Sequence, residues 1–415
     1  MLYSVRPKTP WKAAAAVVAT AAVTLLAACG GGSDDSSDAD EIVIGFATSE
    51  SGNMAPFDVE PTQAAMLRID QINEEGGVDG KTIRTVTRDV RSSPETVGTA
   101  ATELIGEGVD LLVTPCDFDL SAPGASVAQS AEVPAISICA GDPKMADLTT
   151  LGDFIFSANA GSDVEGGSGA AWAIDQGWQS AYILQDESIE YTKSAGAYFQ
   201  ATFEELGGEV VGSDAFPGGD SVNIASQAAR LRGMSPQPDF VYVASWNPGG
   251  ATAIRQLREA GIEIPILGPA ALDGQALLDI VGNASDIYYT GFACYSYCTG
   301  ADSSELDDFV SAYDEEYGAE PSSAYAVLGY SMVSAIADAL AGIDDLDGPT
   351  VRDALAEGEA VSTPVGEVTY FSETCHKIID FPMSVINVSD GAMSFVTQQR
   401  LETLPDLGDG NACAG

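Results

Sequence analysis

From Glu41 onward, short apolar runs alternate with longer segments of helical period. Ile42 to Ala47 is a continuous apolar strand, and Pro61 to Asn73 sets Ala65, Leu67, Ile69 and Ile72 at helical spacing. Gly76-Gly77 ends that helix, because glycine adopts the left-handed position without a Cβ penalty. Thr82 to Thr87 alternates as a strand and Pro94 to Gly106 reads as a helix. Asp110 to Thr114 and Val133 to Ile138 are buried-type strands with a helix between them. Strands that are apolar on both faces and separated by helices predict a parallel sheet covered on both sides.

The pattern then restarts. Gly166 to Gln176, Tyr191 to Leu206 and Ser221 to Arg232 read as helices, and Ser180 to Leu184, Glu209 to Ala215 and Phe240 to Ala244 as strands. Asn247-Pro248 reads as an N-cap followed by proline in the first helical position, opening a helix that ends at Gly261. Ile264 to Leu267 and Ile287 to Thr290 are further strands. Ser303 to Glu357 is mostly helical, and Val365 to Tyr370 and Ile378 to Val388 are strand-like. Two consecutive α/β units of about 120 residues predict two Rossmann-like lobes. No Ser/Pro-rich linker separates them, so the chain crosses between lobes through strand-like hinges.

The amino terminus changes the picture. Arg6, Lys8 and Lys12 precede an apolar run from Ala13 to Leu26. That run has 14 residues, and a helix needs roughly 20 to span a bilayer, so residues 1–28 read as a signal peptide. Leu26-Ala27-Ala28-Cys29 resembles a lipoprotein cleavage site, with Cys29 lipidated as the mature first residue. Residues 29–40 are then a tether, since a charged Gly/Ser-rich stretch buries too little surface to fold. The expected location is outside the cytoplasmic membrane, on its outer face, in a periplasm or at the cell surface.

Past the leader, 14 basic residues stand against 62 acidic ones, a formal charge of −48. Such a surface repels phosphate backbones and anionic head groups, which excludes a nucleic-acid partner and leaves the lipid anchor as the only membrane contact. Six cysteines remain beside Cys29: Cys116, Cys139, Cys294, Cys298, Cys375 and Cys413. An even number in an exported chain points to disulfides. Cys116 and Cys139 end consecutive strand–helix units, and neighbouring strands lie about 4.8 Å apart, within disulfide reach. That bridge is expected, with Cys294–Cys298 and Cys375–Cys413 beside it and Cys294–Cys375 as the rival pairing. No C-x-x-C motif occurs and His376 is the only histidine, so no metal or cofactor is expected. The G-x-S-x-G elbow, G-x-G-x-x-G and Walker loops are likewise missing from the sequence, which argues against an enzyme.

Ser51-Gly52 followed by QAAMLRIDQINEEGGVDGKTIRTVTRD resembles the leucine/isoleucine/valine-binding branch of the periplasmic binding proteins. FVYVASWNPGG, ILGPAAL and PSSAYAVLGYSMVSAIADAL resemble later segments of that family in the same order, and the resemblance covers about Ile42 to Phe395. It implies a type I (Venus-flytrap) α/β fold with three hinge crossings, near Ala158, Gly291 and Phe371. Lobe one would comprise residues 41–156 plus 292–370, lobe two residues 157–291 plus 371–399, and residues 400–415 a tail. It implies a substrate-binding lipoprotein of an ABC importer, closing on a small ligand and presenting the closed form to the permease subunits. A ligand sensor that presents its closed form to a membrane receptor is the alternative, and the sequence does not separate the two.

The resemblance also implies a site. The loop after the third strand brings Cys116, Asp117 and Phe118, and the next strand ends in Cys139, Ala140, Gly141 and Asp142. Tyr191, Trp246 and Ala270 match contact positions of the opposite lobe, with Phe57 in the first loop and Tyr325 completing the aromatic set. Three positions depart from the amino-acid-binding pattern: Asp117 replaces a serine, Gly141 a threonine and Ala270 an ammonium-pairing glutamate. The ligand is therefore amino-acid-like, with Asp117 or Asp142 as cation partner, or an amide, or a neutral aromatic compound. In the plainer reading both aspartates are loop caps facing solvent.

Overall fold

Eight residues, Glu41–Thr48 (β1), open the fold and are buried from Ile42 onward. The structure is a computed structural model describing residues 41–219, 221–301, 303–358, 360–401, 403–405, 407 and 413. The leader, Cys29 and the tether lie outside these. β1 pairs in parallel with β2 (Thr82–Asp89) and β3 (Leu111–Thr114), and β4 (Ala135–Ser137) and β5 (Ile155–Ser157) extend the sheet in the order β2-β1-β3-β4-β5. Helices α1 (Ala55–Glu74), α2 (Pro94–Gly106) and α3 (Phe118–Ala131) connect these strands. β1, β3, β4 and β5 are sandwiched between two apolar cores, which is why they read as unbroken apolar runs, whereas the edge strand β2 is partly exposed and alternates. Gly77 stops α1 at φ +76°, where a Cβ would stand 2.1 Å from the Lys81 carbonyl oxygen.

Lobe two follows with α4 (Ser162–Asp175), β6 (Ser180–Asp186), α5 (Glu190–Glu205), β7 (Glu209–Phe216), α6 (Ala225–Arg232) and β8 (Phe240–Ala244). It continues through α7 (Gly249–Glu259), β9 (Ile266–Gly268), α8 (Gln275–Val281) and β10 (Ile287–Gly291). α4 lies against α5 at glycine distance: a Cβ on Gly166 would stand 2.8 Å from the Phe199 amide nitrogen. β11 (Cys298–Thr299) comes next, and lobe one then resumes with α9 (Ser304–Tyr317), α10 (Ala326–Leu340) and α11 (Gly348–Ala356). β12 (Ala360–Thr363), β13 (Gly366–Tyr370) and β14 (Ile378–Asp380) form a small antiparallel sheet. β15 (Met383–Ser389) and β16 (Ala392–Gln399) complete an eight-stranded sheet ordered β11-β16-β15-β10-β9-β8-β6-β7.

The structure departs from the sequence expectations at defined places. α1 begins at Ala55, with Pro61 inside the helix rather than at its start. Asn247 does not cap α7; its side-chain amide donates to the Leu272 and Asp273 carbonyls at 2.9 and 3.2 Å. After Gly291 the chain still adds β11 to the edge of the large sheet, so lobe one resumes at α9. β14 pairs with β13, so the last crossing lies at Phe381-Pro382, not near Phe371.

Residues 375–378 run along the first crossing. The Ser157 amide donates to the His376 carbonyl at 2.8 Å and the Ile378 amide to the Asn159 carbonyl at 3.1 Å. The His376 ring stacks on Phe156 with centroids 4.0 Å apart. Burial holds its pKa down at about 4. Lys377, itself buried, pairs with Asp163 at 3.0 Å.

Candidate functional site

A narrow cavity lies between the lobes, with a free interior of about 20 Å³, room for little more than a water as the lobes stand. Lobe one lines it with Met54 and Phe57 from the start of α1, Cys116 and Asp117 after β3, Cys139 and Gly141 after β4, and Tyr325 at the entrance of α10. Lobe two adds Ile189 and Tyr191 at the start of α5, Trp246 after β8 and Ala271 after β9. The lining residues therefore gather at the carboxyl ends of strands, where open α/β sheets bind ligands.

Three aromatic rings close this space. Phe57 stands 5.8 Å from Trp246 across the cleft and 5.3 Å from Tyr325, edge to face with the latter. The indole N–H of Trp246 donates to Ser188 Oγ at 3.0 Å, which fixes the ring plane. Phe57 belongs to α1 rather than to a loop, because that helix starts six residues before Pro61. The lobes are drawn together beside the rings. The Glu190 amide donates to Asp119 at 2.9 Å, and Lys144 pairs with Glu190 at 2.6 Å. Buried Asp273 of lobe two accepts from the Ala324 amide at 2.6 Å and Ser323 Oγ at 3.1 Å of lobe one. It also accepts from Tyr289 and Tyr297 hydroxyls at 2.6 and 2.7 Å.

Asp117 is both a cap and a wall residue. Its Oδ1 accepts from the Leu120 amide at 3.0 Å, opening α3, while Oδ2 has no hydrogen-bond partner among the described residues. Burial, then the neighbouring Asp119 charge, push its pKa up to about 7. Asp142 caps a short 3₁₀ turn, Pro143–Ala146, through the Lys144 amide at 2.9 Å, and burial raises its pKa. Both aspartates are caps, as the plainer reading had it, but they are only 3% and 2% exposed and do not face solvent. Asp142 lines an adjoining hollow with Lys144 and Glu190 rather than the central cavity.

Three expected contacts are absent from the wall. Phe118 is the first residue of α3, so the helical turn points it away from Asp117, toward the second core of lobe one and under Lys144. Ala140 alternates away from Cys139 and Gly141 on extended chain and enters the same core. Ala270 presents its amide, not its methyl group, toward the site, and Ala271 takes the lining position.

That amide leads to a residue the sequence reading missed. Glu165, fully buried in the first turn of α4, accepts from the Ala270 amide at 3.0 Å and from the Tyr191 hydroxyl at 2.5 Å. Burial drives its pKa up to about 7. The signal was a pair of acids, Asp163 and Glu165, amid the small residues of GSDVEGGSGAA, hidden because α4 begins at Ser162, four residues before its expected start. Met54, Ile189 and Ala271 were likewise not singled out; each is an ordinary residue placed by its neighbours.

The cysteines pair as Cys116–Cys139, Cys294–Cys298 and Cys375–Cys413, with Cα separations of 4.4, 5.2 and 4.9 Å. The first joins adjacent strand ends in the cavity floor. The rival Cys294–Cys375 pairing does not form.

Comparison with known proteins places this geometry. The family profile of periplasmic binding proteins matches residues 41–392. A Leu/Ile/Val-binding protein of Rhizobium johnstonii is 24% identical over 336 residues, 80% of this chain and 87% of that one. The leucine-, isoleucine-, valine-, threonine- and alanine-binding protein of Pseudomonas aeruginosa is 24% identical over 345 residues, 83% of this chain and 89% of that one. Among solved structures, the branched-chain amino acid transporter substrate binding protein LivJ of Streptococcus pneumoniae, in complex with isoleucine, aligns with a TM-score of 0.75. It is 24% identical, and the alignment covers 87% of this chain and 99% of that one. A solute binding protein of an ABC transporter from R. palustris, in complex with benzoate, aligns with a TM-score of 0.74 at 21% identity, over 89% of this chain and 99% of that one. With two α/β lobes, an interlobe cavity and a family profile spanning nearly the whole described fold, this chain belongs to the periplasmic binding protein family, whose members bind solutes and are not enzymes.

Proposed function

We propose that this protein is the substrate-binding lipoprotein of an ABC importer, taking a small amino- or amide-bearing ligand between its lobes. The observation that carries the reading is the aromatic clamp. Phe57 and Tyr325 of lobe one meet Trp246 of lobe two around a cavity that also holds one buried carboxylate with an oxygen unpaired among the described residues. Such an arrangement excludes water from an apolar body and leaves one polar group to orient it. The interlobe bonds of Asp119, Lys144 and Asp273 supply what a closed form needs, a set of contacts available only when the lobes meet. The permease subunits would read that closed form. The names of the relatives support a ligand of amino-acid size, and the benzoate-bound neighbour supports an aromatic compound as the second reading. Lipidation at Cys29 would hold the protein at the membrane in which the importer sits.

A thermal-shift screen across amino acids, amides, aromatic compounds and amines, followed by calorimetry, tests the reading. One class should raise the melting temperature with one site per chain. If every class leaves it unchanged at millimolar concentration, the importer reading loses its ligand.

A further inference from the structure

The wall of the cavity around Gly141 offers acceptors where a ligand carboxylate would need donors. Asp117 Oδ2 and Glu165 Oε1 are buried carboxylate oxygens with no hydrogen-bond partner among the described residues. Asp117 lines the cavity, and Glu165 Oε1 lies 3.4 Å from the point where a Cβ on Gly141 would stand. Several of the nearby donors are already engaged. The Cys116 amide donates to Asp58 at 2.7 Å and the Leu120 amide to Asp117. The Ala270 amide donates to Glu165, and the Trp246 indole to Ser188. With Glu165 ionised, the Tyr191 hydroxyl gives it its single proton, so toward the cavity its oxygen only accepts. No lysine, arginine or histidine is among the lining residues.

We propose that the cleft selects a compact organic cation, a primary ammonium on a short apolar or aromatic body that carries no carboxylate. This rests on the solute-binding reading above and narrows it. The ammonium donates to Asp117 Oδ2, its three protons matching a wall of acceptors, while the Phe57, Trp246 and Tyr325 rings enclose the body and present their π faces to the charge. A carboxylate on the same ligand would meet Asp117 charge to charge in a water-poor space. Glu165 acts as a positioning residue. It holds the Tyr191 oxygen as an acceptor and adds negative potential behind Gly141.

Matched probes separate the parts: phenethylamine against phenylalanine, and isoamylamine against leucine, with phenylacetamide as the neutral control. Calorimetry on the wild-type protein should show each amine binding at least tenfold tighter than its amino acid. Asp117→Asn keeps the cap of α3, because asparagine caps as well as aspartate, and should weaken the amines at least tenfold, more than it weakens the uncharged phenylacetamide. The charged groups acting most on Asp117 are acids, namely Asp119 on α3, Asp58 on α1 and Asp142 after β4, and the Tyr191 and Tyr325 hydroxyls share its cavity. Glu165 faces Tyr191, Asp163 and Lys377. Amine affinity should therefore rise from pH 6 to pH 8 as Asp117 ionises, with proton release on binding near pH 7. Amino acids binding as tightly as the amines, no amine binding, or an Asp117→Asn protein with unchanged amine affinity would each overturn the cation assignment. The solute-binding reading stands or falls separately: it survives if any of the probes binds wild-type protein at one site per chain and is lost from Trp246→Ala.

Discussion

Gly141 shows how one missing side chain shapes the site. A Cβ there would stand 2.8 Å from Tyr191 Cε2, so the bare backbone is what lets the ring lie against lobe one. With the ring in that place, its hydroxyl reaches Glu165, and Glu165 reaches the amide of Ala270. Gly141→Ala should therefore displace Tyr191 and weaken ligand binding about tenfold, with far-UV circular dichroism unchanged. Retained affinity in that variant would mean the ring has slack the packing does not show. The aromatic residues and the cysteines were readable in the sequence because their types are rare and matched a known order. Glu165 was not, because one acid among 62 carries no mark until the fold shows which of them is buried.

At the scale of elements, the strand–helix alternation was legible because a strand buried on both faces has no polar partner positions. α2 and β8 fall at the expected limits, Pro94–Gly106 and Phe240–Ala244. Serine before proline marks the first, and an uninterrupted FVYVA marks the second. Pro61 misled, since proline is tolerated in the first turn and reads as a start. The last hinge misled for a different reason. Ile378 to Val388 is mostly apolar and reads as one strand, and the pairing divides it into two at Phe381-Pro382, where the proline breaks the ladder. The element that links closure to the site is the loop before α10, which delivers Tyr325 to the cavity and Ser323 and Ala324 to Asp273. Hydrogen bonds to a charged group contribute about 1.5–3 kcal/mol each. Asp273→Ala should thus speed ligand dissociation by about tenfold or more in stopped-flow measurements, and an unchanged off-rate would remove Asp273 from the closing contacts.

For the whole molecule, charge and burial act together. Asp58, Asp117 and Glu165 have pKa values raised by burial to about 6, 7 and 7, against ordinary values of 3.8, 3.8 and 4.5. The folded state holds those protons more tightly than the unfolded chain, so stability falls as pH rises from about 5 to 7. His376, depressed to about 4, works in the opposite direction over part of that window. Three groups outweigh one, and ionisation of an already anionic surface adds repulsion. The melting temperature of ligand-free protein should fall between pH 5 and pH 8, and less steeply in Asp117→Asn; a rise with pH would contradict this balance. Cys29 acts at the same scale, though by covalent chemistry. Cys29→Ser should move the protein from the membrane fraction to the soluble fraction, and undiminished membrane partitioning would refute the anchor. The central claim is that a small ligand is gripped between the lobes by the aromatic clamp, and Trp246 tests it most directly. Burying such a ring is worth about 1.5–3 kcal/mol, so calorimetry should give one site per wild-type chain and roughly ten- to a hundredfold weaker binding in Trp246→Ala. Equal affinity in the two proteins would contradict the account and place the ligand elsewhere.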